Sequence, residues 1–318
     1  MFLETRQFNR RNGIIAAGAA GLALTATDVT AATSVDSRFR LSSGRFLGYR
    51  IYGDVHQPPV LYFHGTPGSR LEAALIADRC NAMGVYLIAI DRPGMGRSSP
   101  SSPHCVATWP IKVREIATWM QREFGFGAYR ILAVSGGTSF ALACASQLRP
   151  LVASVAVISP RTPFAPGVPD GVLDPQLRQL RSHPRIARRV LQMQANRVRR
   201  NPNFKPAALK KYAQIDQRYM DRNKQVLRAA YLESVRCGVD GILCDMRLIS
   251  WPWHIHLEDI TIPVGFWHGN CDSTARYETL TFVQSRIRHA HVVVGIGQGH
   301  FTALDFATED AVSWLMQS

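Results

Sequence analysis

The residues best placed to do chemistry begin with a serine where a strand gives way to a helix. Tyr129-Arg130-Ile131-Leu132-Ala133-Val134 is a short, mostly apolar run, Ser135-Gly136-Gly137 is a turn, and Thr138–Leu148 has helical length and composition. A serine on a strand–turn–helix junction is the setting of a nucleophile elbow, where a sharp turn pushes the hydroxyl outward and collects backbone N–H groups beneath it. Ala133 and Gly137, two residues to either side, are small enough to let strand and helix approach. The pattern is A-x-S-x-G rather than G-x-S-x-G, a change that adds a methyl and removes no reactive group. A serine hydroxyl is a poor nucleophile at its own pKa and needs a base within hydrogen-bond reach.

Four further apolar runs end in residues that could serve it. Val60–Phe63 ends in His64-Gly65-Thr66-Pro67-Gly68-Ser69, and Ile88–Ile90 in Asp91-Arg92-Pro93-Gly94-Met95-Gly96-Arg97-Ser98. Ile262–Trp267 ends in His268-Gly269-Asn270-Cys271-Asp272, and Val292–Gly295 leads to Gly297-Gln298-Gly299-His300-Phe301. His254-x-His256 and His289-x-His291 place two imidazoles on one face if extended. Neither pair has a third ligand nearby, so no metal is expected. No Walker-type or Rossmann glycine pattern precedes a helix, so no cofactor is expected either.

The elements that must carry these tips read as α/β. Phe39–Leu41 and Phe46–Tyr52 flank Ser42-Ser43-Gly44-Arg45 and predict a hairpin. Val60–Phe63, Val85–Ile90, Ile131–Val134, Val152–Ile158, Ile262–Trp267 and His291–Gly295 are apolar throughout, as strands covered on both faces are. Ser69–Met83, Ile111–Phe124 and Thr138–Leu148 alternate with them as helices, so the sheet is mostly parallel. Ligands gather at the carboxyl ends of such strands. From Ser159 to about His256 no strand is expected. Helices are predicted over Pro175–Arg181, Arg185–Arg200, Ala207–Arg218 and Lys224–Ile249, which makes this stretch an inserted helical subdomain rather than a loop.

Together, the five tips resemble the α/β-hydrolase fold. The HGTPGS and DRPGMGRS loops are similar to those of the branch containing proline iminopeptidases, epoxide hydrolases and many small esterases. The resemblance covers roughly residues 45–160 and 258–318, and the joint order of the motifs carries it. It implies a core over 32–159 and 257–318, a helical cap over 160–256, and the order Ser135, Asp272, His300 for nucleophile, acid and base. His300 would take the serine proton and return it to the leaving group, while Asp272 holds the imidazole's tautomer. The N–H of Gly136 would receive the oxyanion, and the resemblance adds the N–H of Thr66. His64 and His268 are expected to be structural, and Asp91 to organise its turn. Ser at the elbow excludes the nucleophilic aspartate of epoxide hydrolases. Trp251 and Trp253, where the cap returns to the core, would line a substrate pocket or pack cap onto core.

The expected function is hydrolysis of an ester or related activated carbonyl through an acyl-enzyme on Ser135. The alternatives are a proline iminopeptidase-like or carbon–carbon bond hydrolase, or a catalytically silent binding protein. Residues 161–250 hold 18 Lys+Arg and seven Asp+Glu, so they carry +11 of the formal +14. Seven acids among so many bases argue against recognition of a substrate amine. The charge reads as a solvated helical face, or as one that steers an anionic small-molecule substrate or holds the cap near an anionic surface. An export signal at the N-terminus disfavours a nucleic-acid partner.

The first 31 residues read as an export signal. Arg10-Arg11 precedes a short apolar stretch, Ile14 to Ala26, and Val29-Thr30-Ala31 offers small residues for cleavage. That combination resembles a twin-arginine signal and predicts an exported protein without a transmembrane helix when mature, the alternative being a cytoplasmic one. Buried free thiols are expected for the six cysteines. Cys237 and Cys244, read as seven residues apart on one helix, would be about 10 Å apart, too far for a disulfide.

Overall fold

The computed structural model describes residues 35–100, 105–161, 182–250 and 253–318. The stretches read as an export signal and as a helix over Pro175–Arg181 therefore lie outside the described residues, as does Trp251.

The described residues build one eight-stranded sheet in the order β1-β2-β4-β3-β5-β6-β7-β8. β1 (Val35–Arg40) and β2 (Phe46–Tyr52) form the expected hairpin, with Arg40 opposite Phe46, and β2 runs antiparallel to β4 (Tyr86–Ile90). β3 (Pro59–Phe63), β5 (Tyr129–Val134), β6 (Val152–Ile158), β7 (Val264–Gly269) and β8 (Ala290–Gly295) complete the sheet in parallel. The interior strands are apolar because both faces are covered: β3, β4 and β7 are buried at every position. One face packs on α2 (Trp109–Phe124) and α3 (Thr138–Gln147) through residues such as Trp109, Val113 and Phe140. The other packs on α1 (Ala77–Ala82) and, through Ala303, Ala307, Ala311 and Leu315, on a C-terminal helix beginning at Thr302. The predicted helix over Ser69–Met83 divides in two, a 3-10 helix at Arg70–Leu75 and then α1, with Ile76 between them outside helical geometry.

Between β6 and β7 the described residues form helices and turns without a strand. They are α4 (Pro184–Arg200), a 3-10 turn at Ala207–Lys211, α5 (Gln214–Arg222), α6 (Lys224–Ser234) and α7 (Asp240–Ile249). The helix expected over Ala207–Arg218 is interrupted by extended backbone at Tyr212 and Ala213. The one expected over Lys224–Ile249 is cut at Gly238, whose φ of 101° lies in the left-handed region that glycine tolerates. Cys237 and Cys244 consequently do not share a helix. Both are free thiols, as are Cys80, Cys105, Cys144 and Cys271, but only Cys80 and Cys144 are buried as expected, and Cys237 and Cys271 are exposed. α8 (Tyr277–Gln284) and α9 (Thr302–Gln317) follow β7 and β8. No helix among the described residues is long and apolar enough to cross a membrane.

Candidate active site

Ser135 stands at the carboxyl end of β5 with φ 49°, the left-handed backbone that turns a strand sharply into a helix. The close approach behind it requires a glycine: a Cβ on Gly137 would lie 2.5 Å from the carbonyl oxygen of Phe63 in β3. Ala133 is accommodated in the core without exposure, so the added methyl of the A-x-S-x-G pattern is absorbed by packing.

Three loops bring their tips to this serine. His300 arrives from the turn after β8 and its Nε2 lies 2.9 Å from Ser135 Oγ. Its Nδ1 lies 2.6 Å from Oδ2 of Asp272, which follows β7. A carboxylate can only accept, so Nδ1 carries the proton and Nε2 is left to accept from the serine hydroxyl. The other carboxylate oxygen, Oδ1, accepts from the N–H groups of Thr274 and Ala275 and from the Thr274 hydroxyl at 2.8–2.9 Å. Burial pushes the Asp272 carboxyl upward. The neighbouring imidazole and these hydrogen bonds outweigh it and hold the group below the usual carboxylate range. Ser135, Asp272 and His300 are all buried.

The loop after β3 closes the other side. A Cβ on Gly136 would lie 3.2 Å from the backbone nitrogen of Thr66, so the elbow and this loop meet at the two residues named as oxyanion donors. Two buried ionic groups hold this loop. Glu72 accepts from the N–H of Gly65 at 2.6 Å and from the Tyr62 hydroxyl at 2.8 Å, and burial raises its carboxyl despite them. Arg92 donates to the carbonyls of His64 and Gly65 and to the Thr66 hydroxyl, and it meets both oxygens of Asp245 at 2.7 Å. Asp245 belongs to α7, and it also accepts from the Thr66 hydroxyl.

Other predicted residues take structural places. Asp91 accepts from the N–H groups of Arg70 and Arg97 and from the Arg70 guanidinium, which organises its turn as expected. His64 is fully buried, donates from Nδ1 to Gly65 O and accepts at Nε2 from Arg92 N. Burial, with the charge of Arg92 beside it, holds its pKa well below the ordinary value and keeps it neutral. His268 is buried beside the ring of Tyr277. Trp253 belongs to the main apolar cluster with Ile249, Leu257 and Ile260. It packs there between the insertion and the core, one of its two expected places.

Sequence reasoning missed Asp216 altogether. It lies on α5 and accepts the backbone N–H groups of His300, Phe301 and Thr302. The one available signal was an acid standing in a strongly basic stretch.

A mostly parallel sheet with a serine elbow after its fifth strand, and an acid and a histidine delivered by later ones, defines an α/β hydrolase. Residues 58–307 match the alpha/beta hydrolase fold family, and the chain belongs to it. Its structure is similar to the enol-lactonase from Burkholderia xenovorans LB400, at 15% identity and TM-score 0.66, covering 89% of this chain and 100% of that one. It is similar to a thermophilic esterase from Thermogutta terrifontis, at 18% identity and TM-score 0.61, covering 90% and 99%. It is also similar to bromoperoxidase from Bacillus anthracis, at 16% identity and TM-score 0.65, covering 89% and 100%. Among curated proteins, none matches the sequence.

Proposed function

We propose that this α/β hydrolase cleaves an ester or related activated carbonyl substrate through an acyl-enzyme on Ser135. The observation that carries the reading is the unbroken hydrogen-bond chain from Asp272 through His300 to Ser135. In the first step Ser135 Oγ attacks the carbonyl carbon as its proton passes to His300 Nε2. The tetrahedral oxyanion is received by the N–H groups of Gly136 and Thr66. The intermediate collapses as His300 returns the proton to the leaving alkoxide, and water repeats the cycle to release the acid. Asp272 stays ionised and stabilises the imidazolium. The esterases among the structures this chain is similar to support the same substrate class.

The helices between β6 and β7 act in this reading as a cap over 160–256, on a core of 32–159 and 257–318. Three of the cap's acids, Asp216, Glu233 and Asp245, are engaged with the core, which favours a carbonyl substrate without a free amine to recognise. The excess of basic residues in the cap would steer an anionic substrate. If so, kcat/KM for an anionic ester falls with added salt while that for a neutral ester does not. We further propose that residues 1–31 export the protein, which an intact Met1 terminus on cytosolic protein would exclude.

The decisive experiment is labelling with a fluorophosphonate probe. Wild-type protein is expected to label, and Ser135→Ala is expected not to. Labelling that survives Ser135→Ala, or none in the wild type, would sink the serine-hydrolase reading.

A further inference from the structure

Asp216 is fully buried on α5, 84 residues before His300 in the chain. Its Oδ2 accepts the N–H of His300 at 2.7 Å. Its Oδ1 accepts those of Phe301 at 2.8 Å and Thr302 at 3.0 Å. These groups open α9, where backbone donors have no partner within the helix. Helices usually meet that need with a side chain at the N-cap itself. Phe301, which holds that position here, offers none.

The arrangement holds more than a helix end. The carbonyl of His300 accepts from the hydroxyl of Ser159, at the end of β6, at 2.6 Å. The peptide groups on both sides of the His300 Cα are therefore held, one by the core and the other by the helical insertion. Two aromatic rings of the insertion hold the neighbouring side chain, with Tyr212 at 5.3 Å and Tyr219 at 6.2 Å from Phe301 between ring centroids. Tyr212 also stands 5.9 Å from the His300 ring itself.

We propose that Asp216 is a positioning residue for His300, through which the cap sets the geometry of the base. The inference rests on the reading of His300 as that base. Nε2 must sit within hydrogen-bond reach of Ser135 Oγ, and the backbone turn decides where the ring points. Displacing a reacting group by about 1 Å lowers a rate by as much as about a hundredfold.

The two carboxylate oxygens divide the work, which makes a selective test possible. In Asp216→Asn the amide oxygen can still accept from Phe301 and Thr302, but its NH2 then faces the N–H of His300, donor against donor. Gly299→Ala presses on the whole carboxylate from the other side and leaves its charge intact, since its Cβ would lie 2.3 Å from Asp216 Oδ2 and 2.6 Å from Oδ1. Each variant, checked for folding by circular dichroism, is expected to lose about ten- to a hundredfold in kcat on an activated aryl ester with little change in KM. The rate of fluorophosphonate labelling should fall by the same factor, and the low-field proton resonance of His300 Nδ1–H should move or broaden. A role limited to capping α9 would lower stability and leave the turnover of folded molecules unchanged.

Wild-type kcat and labelling rate in either variant, once folded, would overturn the proposal, as would a loss confined to KM. Should Asp216→Asn not fold, Gly299→Ala decides. Wild-type protein that shows no Ser135-dependent labelling would instead remove the hydrolase reading itself.

Discussion

The hydrolase core and the helical insertion solve the problem of cohesion in different ways. The core buries two broad apolar faces on either side of its sheet, and charge enters it mainly at the strand tips. The insertion carries nearly all of the protein's excess charge, and α4 leaves Ile186 and Met193 about half exposed. Among its described residues the apolar cluster is small: Ala195, Val235, Val239 and Ile242, gathered around Met95 from the loop after β4. Acids do much of the remaining attachment. Glu233 reaches Arg70, Asp245 reaches Arg92 and Asp216 reaches the His300 turn. An apolar contact holds a subdomain in place without regard to direction, whereas a buried carboxylate holds it to a particular donor. The insertion is thus joined to the core by carboxylates at the 3-10 helix after β3, the loop after β4 and the turn of His300.

That contrast can be broken at several points. The largest effect is expected in the core: Ser135→Ala should abolish turnover, and His300→Ala should lower kcat by about 10³-fold or more while the circular dichroism spectrum is retained. A folded His300→Ala variant of near-normal kcat would remove the core's claim to the chemistry.

At the junction, Asp245→Ala leaves the Arg92 guanidinium buried without its carboxylate. Breaking such a pair costs about 3–5 kcal/mol, read as a lower urea midpoint at unchanged slope. An unchanged midpoint would mean that the Arg92–Asp245 pair does not help to hold the insertion in place.

Asp272 offers a pH test. Its folded pKa lies below the ordinary aspartate value of 3.8, so ionisation contributes stability above that value and the contribution is withdrawn as pH falls through the folded pKa. The stability difference between wild type and Asp272→Asn should therefore be flat above about pH 5 and shrink only on further acidification. A difference that vanished near neutrality would contradict the hydrogen-bond arrangement.

The smallest effect belongs to the outer surface. Arg188 and Asp240 pair at 2.7 Å, but both side chains are largely exposed. Solvent and salt screen such pairs, so Arg188→Ala should leave the unfolding midpoint unchanged in a thermal melt. A clear loss there would show that the surface charges of the insertion also hold it together.

How far the sequence could be read follows the same division. Strands buried on both faces announce themselves as unbroken apolar runs, and all six were located to within two residues at either end. Ser135, Asp272 and His300 were legible because each follows such a run. The insertion was read less well. Its helices are polar and basic, so apolar spacing marks their ends weakly, and Lys224–Ile249 looked continuous where Gly238 divides it. The inference about Cys237 and Cys244 fell with that helix, although both thiols are free. Trp253 was undecided between pocket and core because an indole suits either, and only its neighbours choose.

By itself, then, the sequence determined the α/β class, the hairpin, the strand ends and the residues that could form a nucleophile, base and acid. These are written in spacings of a few residues, where local sterics and the alternation of burial act directly. Tertiary structure decided which acids of the insertion turn inward and what they hold. Asp216 and Asp221 lie on the same short helix, yet one grips the turn of His300 and the other pairs with Lys205 at the surface. Nothing in their local sequence separates them. Their partners stand at long range, and a carboxylate is committed to a donor only once helix, sheet and turn have taken their places.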